Sequence, residues 1–159
     1  MTNYTIRPLK NNEISLLEDF LYYAIFVPEG VDAPPREIIN IPELQVYISK
    51  FGTQPHDLCL VAESDGAVVG AVWVRDMSDY GHVADGVPSF AISLRPEYRK
   101  QGIGTNLMLA MLDKLRQLGY AKASLSVQKF NYAARMYTKL GFRTIDENEE
   151  EYIMVYDFL

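Results

Sequence analysis

The strongest constraint in this chain is Leu94-Arg95-Pro96-Glu97-Tyr98-Arg99-Lys100-Gln101-Gly102-Ile103-Gly104-Thr105, set between an apolar run that reads as a strand and an amphipathic run that reads as a helix. A strand–turn–helix join of this composition can hold a pyrophosphate. Gly102 and Gly104 lack a Cβ, so main chain can approach a ligand closely and take dihedrals that other residues avoid. The N–H groups from about Gln101 to Asn106 have no partner inside the helix they begin. They converge with the positive end of the helix dipole. Arg99 and Lys100 add full charge beside them. A dinucleotide-binding turn would want a third glycine near Leu107, and a nucleoside-triphosphate loop would want Gly-Lys-Ser/Thr at the helix start. The chain has neither. Two readings of Arg99-x-x-Gly102-x-Gly104 are left, a different phosphate turn or an ordinary structural one.

A second segment separates them. Leu125-Ser126-Val127-Gln128-Lys129-Phe130-Asn131-Tyr132-Ala133-Ala134-Arg135-Met136-Tyr137-Thr138-Lys139-Leu140-Gly141-Phe142 reads as a strand, a capping Asn, a short helix and a glycine stop. Tyr137 lies less than two helical turns beyond Asn131. Taken together, the two segments resemble the GNAT (general-control-nonrepressed-related N-acetyltransferase) superfamily. The first matches its coenzyme A pyrophosphate loop and the second its Asn…Tyr…Leu-Gly-Phe signature. The resemblance covers Leu58 to Phe158 well and the first third of the chain loosely.

Composition agrees with one folded domain over 1–159. Hydrophobic residues make up 48% of the chain, aromatics 12% and charged residues 23%, enough apolar mass for a core. The net charge of −6 argues against non-specific nucleic-acid binding and suits cationic substrates. Positive charge for a phosphate is local, at Arg95, Arg99, Lys100 and Lys129. Cys59 is the only cysteine, which excludes an internal disulfide or a cysteine metal cluster. Its apolar setting, Leu58-Cys59-Leu60-Val61, reads as a buried inert thiol. No apolar run reaches the roughly 18 residues of a membrane span. The N-terminus lacks a signal-peptide pattern, so a cytoplasmic protein without a metal is expected.

Element signals run in the order β-α-α-β-β-β-α-β-α-β-β. Tyr4 to Arg7 reads as a strand. The next run is a helix with Ile14, Leu17, Phe20, Leu21, Ala24 and Ile25 on one face. Val31 to Ile41 reads as a loop, and Pro42 opens a helix to about Phe51. Leu58–Glu63 and Ala67–Arg75 form a hairpin around Ser64-Asp65-Gly66. Asp76 to Gly86 is a polar loop and Val87 to Leu94 a central strand. Ile103, Leu107, Met111, Leu115 and Leu118 mark one helical face, stopped by Gly119. Lys122–Val127, Asn131–Leu140, Phe142–Ile145 and Glu151–Phe158 read as strand, helix, strand and strand. The acidic run from Asp146 to Glu151 reads as a solvated hairpin tip. The final strand alternates apolar residues and could fill the core or serve as a pairing edge; a homodimer is a guess from the family. The resemblance implies the GNAT acyl-CoA N-acyltransferase fold: a mixed, mostly antiparallel α/β sheet flanked by helices, its central strands splayed for the cofactor.

The chemistry follows from that resemblance. It implies direct transfer of an acetyl group from acetyl-CoA to a primary amine of a small molecule in a ternary complex. Ile92, Ser93 and Leu94 would lend backbone groups to the pantetheine arm, which enters the gap beside Ser126-Val127. An N–H near Leu94 would polarise the acetyl carbonyl. Arg99, Lys100, Gln101, Gly102, Ile103, Gly104 and Thr105 would hold the pyrophosphate, and Asn131 the pantetheine. Tyr137 would be the general acid, since a phenol of ordinary pKa near 10 keeps its proton at neutral pH. Glu63, Asp79, His82 and Asp85 are candidates for the base, with a water chain as another. No carboxylate lies between Ser89 and Leu94. Tyr22, Tyr23, Phe26, Trp73 and Tyr80 could line an acceptor pocket. A protein or peptide N-acetyltransferase, or a CoA-binding module without catalysis, are the alternatives.

Overall fold

In a computed structural model, residues 2–76, 83–84 and 86–159 are described. The elements are β1 (Thr5–Pro8), α1 (Leu17–Ala24), α2 (Pro42–Gln45), β2 (Leu58–Ser64), β3 (Ala67–Arg75), β4 (Ser89–Leu94), α3 (Ile103–Gln117), β5 (Lys122–Gln128), α4 (Ala133–Leu140), β6 (Arg143–Glu147) and β7 (Glu151–Asp157). Seven strands form one sheet in the order β1-β2-β3-β4-β5-β7-β6. Every neighbour pair is antiparallel except β4 with β5.

The expected order of elements holds, with local differences. The first helix opens as a 3-10 turn, Asn11–Leu16, and only Leu17–Ala24 is α. The expected loop before Pro42 carries another 3-10 turn, Arg36–Asn40, and α2 is cut to a single turn. Leu118 was expected on the sheet-facing side of α3; it falls at the C-cap and is 54% exposed. The final strand is no edge. β7 is paired on both sides, by β5 and β6, so its alternation fills the core.

The helices cover opposite faces. Leu107, Met108, Met111 and Leu115 of α3 bury against Val72, Val74 and Phe90, joined by Leu125, Val127, Tyr137 and Phe142. On the other face, Leu17 and Phe20 of α1 pack on Val61, Ala71 and Trp73. Cys59 sits in that second layer, where burial pushes its thiol pKa up, as expected of an inert cysteine. Arg75 is buried at the end of β3. Its Nε and Nη2 donate to the Asp57 carboxylate at 3.0 Å each, and its Nη1 donates to the carbonyls of Val46 and Ser49. This pair clamps the segment before β2 onto the sheet.

Both outer strands are ill-suited to pairing. β1 is four residues long and ends at Pro8. β6 is exposed throughout, is interrupted by a register shift between Thr144 and Asp146, and carries Arg143, Asp146 and Glu147. Short length, proline, bulges and charge all discourage strand addition.

Candidate active site

A fork in the sheet dominates the site. β4 and β5 share a single register pair, Ser89 with Ser124, where the Ser124 N–H donates to the Pro88 carbonyl at 2.9 Å. Beyond that pair the strands diverge. Their ladders to outer neighbours decide which groups face the gap. The Arg95 N–H donates to the Val69 carbonyl, so the alternation of an antiparallel ladder commits Ser93 and Ala91 to β3. Ile92 and Leu94 therefore turn their N–H and C=O groups into the fork. On β5, the bonds from Phe158 N–H to Ala121 and from Lys129 N–H to Glu150 commit the odd-numbered residues to β7. Ser126 and Gln128 face the fork from that side. Of the three strand residues expected to meet the pantetheine, two face the gap. Ser93 does not: its main chain pairs with β3 and its hydroxyl donates to the Phe20 carbonyl at 2.6 Å.

Above the open end of the fork lies the glycine turn. Lys100 and Gly102 take positive φ, 62° and 84°, which curls the chain into the start of α3. The Asn106 N–H already donates to the Gly102 carbonyl, so the helix-start donors without an intrahelical partner end at Thr105, one residue earlier than expected. Ile103 contributes only its main chain, its side chain being fully buried. Gly104 has no positive φ. A Cβ there would stand 3.9 Å from Leu94 Cδ1 and 4.0 Å from Ile92 Cδ1, so the protein's own packing does not require a glycine. Lys100 and Arg99 are exposed; one Arg99 Nη donates to the Tyr23 carbonyl at 3.1 Å. Arg95 and Lys129 were counted with the phosphate charges and are engaged elsewhere. The Arg95 Nε donates to Val68 O, and its guanidinium lies over the Phe20 and Tyr23 rings. Lys129 pairs with Glu147 at 2.5 Å and sits over Tyr152.

α4 supplies the remaining pieces. The Asn131 Oδ1 accepts the Ala133 N–H at 3.0 Å, which fixes the helix start and leaves its amide NH₂ available. Tyr137 is 7% exposed, and burial pushes its phenol pKa up, so it keeps its proton well into the alkaline range. Its ring packs on Phe142. Among the described residues its hydroxyl has no hydrogen-bond partner, although buried hydroxyls in folded proteins nearly always have one.

The profile of the acetyltransferase (GNAT) family matches residues 23–142, which takes in the fork, the turn and α4. The chain belongs to that family. It is 35% identical over 109 residues to an acetyltransferase of Pectobacterium atrosepticum, covering 67% of this chain and 71% of that protein. It is 33% identical over 119 residues to a mycothiol acetyltransferase of Nocardiopsis dassonvillei, covering 72% of this chain but only 36% of that protein. The fold is similar to that of the PaiA N-acetyltransferase of Thermoplasma acidophilum in complex with coenzyme A, with a TM-score of 0.71 at 20% identity over 98% of this chain and 99% of that one.

Within the GNAT frame, several expected side chains take other roles. Glu63 is not poised as a base: its carboxylate accepts from Arg7 at 2.7 Å, and Arg7 is shared with Glu13 on the outer sheet edge. Trp73 is fully buried with its indole N–H donating to Tyr47 O, so it lines no acceptor pocket. The Tyr22 hydroxyl donates to Pro34 O and pins the segment after α1. Tyr23 and Phe26 remain half-buried near the end of α1. Asp79, Tyr80, His82 and Asp85 lie outside the described residues. Gly70 also shapes the site. A Cβ there would come within 2.3 Å of Leu94 Cδ2, so this glycine lets the Leu94 side chain lie across β3. A glycine inside an apolar strand run is the signal that marks such an approach.

Proposed function

We propose that the protein is an acetyl-CoA-dependent N-acetyltransferase whose acceptor is a primary amine on a small molecule. The observation that carries this reading is the buried Tyr137 hydroxyl, without a hydrogen-bond partner among the described residues, beside a fork where Ile92, Leu94 and Ser126 turn main-chain groups into the gap. Leaving such a group unmade costs about 1–3 kcal/mol, so a partner supplied by a ligand accounts for it.

The fork, the turn and α4 suit one extended ligand. The donors from Gly102 to Thr105, with Lys100 and Arg99, suit a pyrophosphate. The main chain of Ile92 and Leu94 on one side, and that of Ser126 on the other, suits the amide-bearing pantetheine arm, with the Asn131 amide as a further donor; the Gln128 carbonyl is already taken by the Asn131 N–H. When bound, acetyl-CoA supplies an activated acetyl thioester. The protein's residues have two tasks. A fork-facing N–H near Leu94, that of Ile92 once Leu94 meets the pantetheine arm, is a preorganised donor for developing negative charge on a carbonyl oxygen. The Tyr137 phenol holds its proton for the departing sulfur.

Calorimetric titration with acetyl-CoA and with a dinucleotide tests the cofactor, and thiol release across an amine panel tests the reaction. Binding of acetyl-CoA alone, followed by amine-dependent thiol release, is the expected result. Failure of acetyl-CoA to bind would overturn the reading. One observation favours a second reading, a CoA-binding module without turnover: β4 reads Ser-Phe-Ala-Ile-Ser-Leu and offers no base. Binding without thiol release for any amine or basic peptide would support that reading instead.

A further inference from the structure

We propose that Phe90, backed by Phe142, sets the length of the acyl group that the fork accepts and limits it to acetyl or a chain of similar size. The inference rests on the acetyl-CoA reading above and sharpens it. The turn lies past the C-terminal end of β4, so a cofactor held there reaches down the fork toward its closed end at Ser89 and Ser124. Phe90 is the first β4 residue past that closure. Its ring is 5% exposed and meets the Phe142 ring, itself 3% exposed, edge-on at 5.8 Å. Phe142 lies 5.9 Å from the Tyr137 ring, and Tyr156 backs it at 5.4 Å. Tyr137, Phe142 and Phe90 belong to one buried cluster, so a sulfur that meets the Tyr137 hydroxyl would have this cluster beyond it toward the closed end. On the opposite face, Ser89 and Ser124 are fully buried with their hydroxyls 3.2 Å apart. Both faces of the closed end are filled. Extra methylenes on the acyl group would have to displace a packed ring, and interiors at crystal-like density resist that.

The test is calorimetric, with CoA, acetyl-CoA and hexanoyl-CoA as probes against the wild type, Phe90→Ala and Phe90→Leu. The leucine variant keeps the position apolar and guards against simple misfolding of the alanine one. In the wild type, CoA and acetyl-CoA should bind with similar Kd, and hexanoyl-CoA should bind roughly tenfold more weakly or worse, as expected for overpacking. In the variants the hexanoyl-to-acetyl gap should close to within roughly threefold while CoA affinity is retained. Equal binding of hexanoyl-CoA and acetyl-CoA by the wild type would overturn the inference, as would an unchanged gap in both variants. Failure of CoA itself to bind would bring down the cofactor reading and this inference together, so the two failures are told apart.

Discussion

The two halves of the sheet are held together by different means. On the β1–β4 side, polar side chains reach inward. Arg75 and Asp57 are 2% and 0% exposed and bonded twice; Trp73 is tied to Tyr47 O and Ser93 to Phe20 O. On the β5–β7 side, the ion pairs sit at the rim. Arg143 meets Asp157 with side-chain exposures of 55% and 33%, and Lys129 meets Glu147 at 24% and 56%. Each half is a welded antiparallel unit, and one register pair joins them. Both halves rest on apolar packing and a backbone ladder, and buried directional side-chain bonds are added on the β1–β4 side. The seam between them is where β4 and β5 stop exchanging main-chain hydrogen bonds.

The largest effect should come from breaking the buried clamp. Asp57→Ala strands the Arg75 guanidinium in the interior and is expected to cost about 3–5 kcal/mol in chemical denaturation. Arg143→Ala, on the other half, should leave the denaturation midpoint unchanged, because exposed pairs contribute little. Equal losses would erase the contrast. At the seam, Tyr137→Phe is expected to lower turnover by roughly 10²-fold, the low end for general acid catalysis. Its acetyl-CoA affinity should be unchanged and its stability equal or higher, since the orphaned hydroxyl is gone. A matching loss of binding would show that the phenol positions the cofactor. Gly104→Val adds methyl groups where the protein alone leaves ordinary contact distance. It should weaken acetyl-CoA by roughly tenfold through a blocked backbone approach, with folding little affected. Unchanged affinity would refute the turn assignment.

Two smaller effects sharpen the picture within the first half. Gly70→Ala forces the end of the Leu94 side chain aside and should cost about 1 kcal/mol, with acetyl-CoA affinity falling if the Leu94 main chain shifts as well. The last concerns pH. The Arg7 hydrogen bond pulls the Glu13 carboxyl down to about 2, below its usual 4.5. A carboxylate held lower in the folded state adds stability that is complete above the unfolded pKa and is lost as pH falls through the folded one. Thermal stability should therefore decline between about pH 4.5 and pH 2, and Glu13→Gln should flatten that decline. A Glu13→Gln profile parallel to the wild type would remove Arg7–Glu13 from the account.

Local signals were readable in the sequence and distant pairings were not. The turn at Arg99 to Thr105, the helix from Asn131 to Leu140 and the order of elements along the chain all rest on neighbours within a few positions, where capping, glycine and periodicity act. Arg75 and Asp57 carry no mark that they meet, since their pairing depends on how the segment before β2 folds back. The place of Arg95 in the chain marks it only as local positive charge near the turn, and the Phe20 and Tyr23 rings of α1 claim it. Trp73 can be a pocket wall or core as far as the sequence goes, because one strand does not tell which face a helix will cover. Gly70 had a signal, a glycine amid Val68, Val69, Ala71 and Val72, whose meaning emerged only with Leu94 lying over it.

The blunt outer strands have a consequence for how copies of this protein meet one another. A sheet that ends in a proline on one side and in a bulged, charged strand on the other is a poor template for further strands. At high concentration, the outer strands of one folded copy give another only a short or interrupted hydrogen-bonding row to extend. Contacts between copies are then favoured through side chains and helices, and such contacts can dissolve again on dilution.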